Sequence, residues 1–152
     1  KVKIQEDIIL DNQDYGSKRT FEISSIVNIT KKIVTIASDD DATVLVFKST
    51  TASADSALDL QNVKYIRITN LDSSNSVNVS LQLDSGEDNS AADLSITHLL
   101  EAGRSFLMGA PDESAHADDD SATIVTALTD LESIIVDPGS NSGQVEVFVA
   151  ST

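Results

Sequence analysis

Val63-Lys-Tyr-Ile-Arg-Ile-Thr-Asn-Leu-Asp-Ser-Ser-Asn-Ser-Val-Asn-Val-Ser-Leu-Gln-Leu83 decides the fold. In its second half Val77, Val79, Leu81 and Leu83 alternate with Asn78, Ser80 and Gln82. That is the period of a half-buried strand, because successive side chains point to opposite faces of a sheet. The first half is β-branched and aromatic, with Ile66 and Ile68 on one face and Val63, Tyr65 and Arg67 on the other. Between the halves, Asn70 to Ser76 is rich in Asn, Asp and Ser, whose side chains bond their own backbone in turns. Two paired strands follow.

Working outward, the same vocabulary recurs. Residues 2–10 read as a first strand or an extended arm, and Asp11 to Lys18 as a turn region around Gly16. From Phe21 to Ser38 the spacing partly fits a helix, but Ile and Val dominate, so strands are expected at about 20–29 and 32–37, with Thr30-Lys31-Lys32 between them. A strand at about 43–48 precedes a polar loop over 49–61, with room for a helical turn near Ala54–Leu60. Leu94–Leu100 and Arg104–Met108 flank a tight turn at Glu101-Ala-Gly103.

Residues 122–128 and 131–136 read as strands, although Ile124, Leu128, Leu131 and Ile135 also suit one helix face. Asp137-Pro138-Gly139 is a turn, and Val145, Val147 and Val149 alternate with Glu146, Phe148 and Ala150 in a final strand. The expected fold is all-β: one domain over residues 1–152, a jelly-roll-like β-sandwich of about 8–10 short strands, with 1–18 available as an extended N-terminal arm. A short echo between residues 37–46 and 117–125 reads as chance in an Asp/Ser/Ala-rich chain.

Charge narrows the partners. The chain carries −15 over 152 residues, and residues 68–152 hold Arg104 against fifteen Asp and Glu. Phosphate backbones and anionic lipid surfaces repel such a chain, so neither nucleic acid nor a membrane is an expected partner. No window is long and apolar enough for a spanning helix, and Lys1 to Asp7 lacks the apolar core of a signal peptide. With no Cys, disulfides and thiolate metal sites are excluded.

Little points to chemistry. Asp39–Asp41 and Asp118–Asp120 supply oxygen ligands suited to Ca²⁺, but contiguous Asp lacks the alternating spacing of a wrapped loop. Asp11, Gly16 and Glu22 fall at the first, sixth and twelfth places of a calcium loop, with Gln13 and Tyr15 where ligands belong. His98 sits in an apolar strand and His116 in an acidic loop, where it reads as solvated. There is no Gly-x-Ser-x-Gly elbow, no phosphate-cradling glycine loop and no Trp for sugar stacking. No enzyme activity, cofactor or metal is expected. The interface candidates are Ile8, Ile9 and Leu10 in the arm, and Tyr65 with Arg67, residue types enriched at contacts.

One resemblance adds to this. Tyr65-Ile-Arg-Ile-Thr-Asn-Leu-Asp72, then Val77-x-Val-x-Leu81, Leu100-Glu-Ala-Gly-Arg-Ser-Phe106 and the ending Gln144-Val-Glu-Val-Phe-Val-Ala-Ser-Thr152 resemble small virion structural proteins of tailed bacteriophages of marine type. The resemblance covers roughly residues 60–152 and implies a jelly-roll sandwich on a virion. It implies a capsid decoration (cement) protein bound to the major capsid protein or another virion protein, often as a trimer or other homo-oligomer, and no catalytic residues. The alternatives are a tail, fibre or adaptor component that contacts a host receptor, and a calcium- or carbohydrate-binding adhesion module.

Overall fold

The computed structural model describes residues 2–48, 57–84, 94–113, 115–116 and 128–152. Strands β1 (Val2–Gln5), β2 (Ile9–Leu10), β3 (Gln13–Asp14) and β4 (Lys18–Phe21) come first. Then follow β5 (Asn28–Ile36), β6 (Ala42–Lys48), β7 (Leu58–Asp59), a 3-10 turn (Leu60–Asn62), β8 (Val63–Asn70) and β9 (Val77–Asp84). The last are β10 (Leu94–Leu100), β11 (Ser105–Met108), β12 (Asp130–Asp137) and β13 (Gly143–Ser151).

Nine of these strands make the sandwich, in two sheets. A five-stranded sheet runs β10-β9-β12-β6-β7, and a four-stranded sheet runs β11-β8-β13-β5. Four antiparallel pairs nest inside one another: β5 with β13, β6 with β12, β8 with β11 and β9 with β10. The chain is thus one long hairpin of paired strands wrapped into two layers, which is the jelly-roll arrangement. Among the described strands, β6 with β7 and β9 with β10 are the consecutive sandwich strands that share a sheet; every other step crosses between layers.

The core is what the alternation called for. Val77, Val79, Leu81 and Leu83 of β9 are buried, as are Val145, Val147 and Val149 of β13, and Ile66 and Ile68 of β8. With Val44, Leu45, Phe47, Leu131, Ile134 and Val136 of β6 and β12, the β9 residues form the inner face of the five-stranded sheet, which meets the β8 and β13 residues across the layer gap. Fully burying one such aliphatic side chain contributes about 1.5–3 kcal/mol, so this layer is the main source of stability.

Three expectations need correction. Residues 20–29 and 32–37 are not two strands. Thr30-Lys31-Lys32 runs straight through β5, which pairs without interruption with β13, and the chain over 22–27 is irregular. Lys and Thr are compatible with an edge strand, so their polarity marks an edge and not a turn. Val63 does not share the face of Tyr65 and Arg67: the register with β13 shifts between Ala150 and Ser151, and this bulge returns Val63 to the core, fully buried. The helical turn falls at Leu60–Asn62, later than expected, where Asp59 caps it by accepting from the Gln61 N–H at 3.2 Å. Residues 54–56, 117–127 and the second copy of the echo lie outside the described residues.

Over 131–136 the helix alternative is overturned by β12, in which Ile135, the residue that reading set on one face with Leu131, lies on the side away from the core. The pairing of β12 with β9 shifts between Leu131 and Ser133, so Leu131 and Ile134, three apart, both face the core. A bulge imitates helical spacing in this strand.

Candidate interaction surfaces

Residues 2–21 form a bent β-hairpin outside both sandwich sheets: β1 pairs with β4, and β2 with β3. The arm expected at 1–18 is therefore folded back on itself. Asp11 and Asn12 turn the tip with φ of 50° and 60°, the two-residue turn that matches strand twist and favours short polar side chains. The Tyr15 N–H donates to the Ile8 carbonyl at 2.7 Å and the Glu6 N–H to the Ser17 carbonyl at 2.9 Å. At the bend only glycine fits, because a Cβ on Gly16 would lie 2.0 Å from the Glu6 carbonyl oxygen. Ile8, Ile9 and Leu10 are 53%, 73% and 61% exposed. A lone two-stranded hairpin is marginal in water, and this one presents three consecutive bare aliphatic side chains.

Tyr65 and Arg67 lie on the outer face of the four-stranded sheet. Their cross-strand neighbours on β13 are Ala150 and Phe148, and Leu107 of β11 stands opposite Arg67. Arg67 is held within the chain: its guanidinium pairs with the Glu146 carboxylate, which also takes Lys31 Nζ at 2.9 Å. The same guanidinium lies 5.4 Å from the centroid of the Phe148 ring, and Tyr65 meets that ring edge-on at 6.1 Å. The Lys31 hydrogen bond, followed by that of Arg67, holds the Glu146 carboxyl below the usual carboxylate range. Exposed Ile29 and Ile33 of β5 complete a face of aromatic, aliphatic and paired charged groups. Strand alternation alone predicts that Glu146 and Phe148 point outward; that they meet Arg67 depends on β13 lying beside β8.

The arm tip and the Tyr65–Arg67 face belong to different sheets. A third region is acidic: Asp39, Asp40, Asp41 and Asp137 line an open depression of about 420 Å³ beside Gly139 and Ser140. Among the described residues no three His, Asp or Glu side chains are grouped to hold a metal. Asp118–Asp120 lie outside the described residues. His98 is exposed at the sheet edge, its ring 5.4 Å from that of Phe106. His116 is half-buried, not solvated, and its Nδ1 is shielded without a hydrogen-bond partner among the described residues.

One buried polar group organises the loop end. Asn70 is fully buried; its Nδ2 donates to the carbonyls of Asn75 at 2.8 Å and Leu100 at 3.1 Å, and its Oδ1 accepts from the Asp72 N–H at 3.0 Å. Asp72 in turn accepts from the Asn75 and Ser74 N–H groups, both at 2.8 Å, and these bonds hold its carboxyl below the ordinary range. The sequence marks Asn70 as a turn former but not as the tie between the ends of β8 and β10.

No protein-family model matches the chain, and no curated protein matches it. Among solved structures, a chain from Bacillus endospore appendages, which form disulfide-linked pili, is similar at 11% identity. The match covers 88% of this chain and 98% of that one, with a TM-score of 0.39.

Proposed function

We propose that this chain is a non-catalytic structural subunit of a virion, a decoration protein that docks on a phage capsid through its N-terminal hairpin. The observation that carries the reading is the bare apolar tip, Ile8-Ile9-Leu10, on a hairpin that pairs with neither sandwich sheet. Covering three aliphatic side chains supplies several kcal/mol, and a partner surface is the natural cover for such an exposed run. The jelly-roll sandwich agrees with the resemblance at Tyr65–Asp72 and along the last strand. The partner is the major capsid protein, and binding involves no chemistry.

Electron cryo-microscopy of the particle carrying this chain tests the proposal. Many copies on an icosahedral lattice, with the hairpin tip buried against the shell, are expected. Density confined to a tail or fibre would move the chain to a receptor-facing role, and absence from every particle would overturn the virion reading.

A further inference from the structure

The sandwich has four open edges among the described residues, and three are guarded. β7 has two residues and β11 has four, too short to template another strand. β5 is nine residues long but carries Lys31 and Lys32 at its centre, the usual charge guard of an edge strand. β10 is different. Leu94-Ser-Ile-Thr-His-Leu-Leu100 has no carboxylate, Lys, Arg, Pro or Gly. It pairs with β9 residue for residue without a bulge, and its other side is unpaired among the described residues. Leu99 is 66% exposed. A long, regular, uncharged edge is a template for a further strand.

Charge selects the occupant. Two copies of a chain carrying −15 repel one another over most of their surface. Along the seven residues of β10 that repulsion is missing, since its outward residues Ser95, Thr97 and Leu99 stand next to Gln82, Ser80 and Asn78 of β9, all uncharged, and carboxylates flank the strand only at its ends, as Asp93 and Glu101. We infer that β10 is a homotypic edge, which pairs antiparallel with β10 of a second copy and joins two five-stranded sheets into one.

Symmetry then fixes the register. A two-fold axis perpendicular to the sheet keeps both core-facing sides together and must pass through a pair of identical residues. Only an axis at Thr97 overlaps all seven residues of the strand. It sets Thr97 opposite its own copy, Ser95 opposite the second copy's residue 99, and Ile96 opposite residue 98. Ile96 and His98 lie on the core-facing side of β10, so the new strand extends the cover over that side as well. The inference does not rest on the arm or on the virion reading.

The test uses the full chain, whose lack of cysteine leaves no competing thiol. Directly opposed residues of an antiparallel pair have Cα atoms about 4.5–5.5 Å apart, within disulfide reach. T97C is therefore expected to cross-link to itself under mild oxidation. S95C, whose two copies would sit about 13 Å apart along the strands, is expected not to. Sedimentation of the unmodified chain should give twice 16.2 kDa, more completely as salt screens the like charges. T97K, which sets two ammonium groups face to face and removes the Thr97 hydrogen bond to Ser80, should sediment as a folded monomer with a cooperative melt at a somewhat lower temperature. A monomeric parent chain at every salt concentration, equal cross-linking of T97C and S95C, or undiminished association of a folded T97K would each overturn the inference. If T97K does not fold, the cysteine pair decides. The triple variant I8S/I9S/L10S should leave this dimer intact; if it abolishes the dimer while T97K does not, the arm and not β10 joins the copies.

Discussion

Replacing Asn70 by alanine probes the buried polar tie between the ends of β8 and β10. The amide makes three hydrogen bonds from a fully buried position. Its removal strands the Leu100 carbonyl, the partner in the bond classed as buried, at a cost of about 1–3 kcal/mol for an unsatisfied buried group. The Asn75 carbonyl and the Asp72 N–H are part-buried and can turn to water, so each loses only the net worth of a neutral hydrogen bond, about 0.5–1.5 kcal/mol. Together Asn70→Ala should cost about 2–6 kcal/mol, or roughly 4–24 °C in Tm for a domain of this size. Asn70→Asp should cost more at neutral pH, because a carboxylate oxygen then faces two carbonyl oxygens with no proton to donate. Urea unfolding of the three proteins measures this. An alanine variant within about 0.5 kcal/mol of the parent would show that the tie contributes nothing, and that the 70–76 loop holds its shape by other means.

Further outcomes follow from the same geometry. Ile134→Ala, in the core, should lose about 2–5 kcal/mol, whereas Ile33→Ala, 57% exposed on β5, should stay within about 0.5 kcal/mol; equal losses in urea unfolding would place the core on the wrong face. Gly16→Ala forces a Cβ onto the Glu6 carbonyl oxygen, so hydrogen exchange should quicken over residues 5–17 while the sandwich amides keep their protection. Slowed or unchanged exchange in the arm would contradict the bend. Asp72 has a depressed carboxyl pKa, so its contribution is present above the unfolded value near about 4 and is lost as pH falls through the folded one. Asp72→Asn should therefore be less stable than the parent at neutral pH, and the two curves should converge in acid; a gap that widens on acidification would reverse the sign. If the chain's stability needs no calcium, EDTA should leave Tm unchanged, and a drop of several degrees would reinstate a cation at the acidic loops.

How much of this was legible follows from the range of each interaction. Strand periodicity is a property of neighbouring residues, so β8, β9, β10 and β13 stand in the sequence nearly where the structure has them, and their core faces with them. The Gly103 and Gly139 turns, both with positive φ, were legible for the same reason. Bulges were not. Whether Val63 or Leu131 faces inward depends on how many residues a partner strand sets opposite, and β13 and β12 make that choice from far along the chain. The interface candidates divide in the same way. Apolarity marks Ile8, Ile9 and Leu10 before any fold is known, but only the pairing of β1 with β4 and β2 with β3 leaves them bare. The sequence marks Arg67 as an interface candidate, but only β13 brings Glu146 and Phe148 beside it. The sequence by itself determined an acidic all-β chain and the inward side of most strands, because those rest on local alternation and composition. The tertiary structure decided which edges stay open, which charges are already paired and that Asn70 is buried, because each depends on segments that meet only when the long hairpin wraps into two layers.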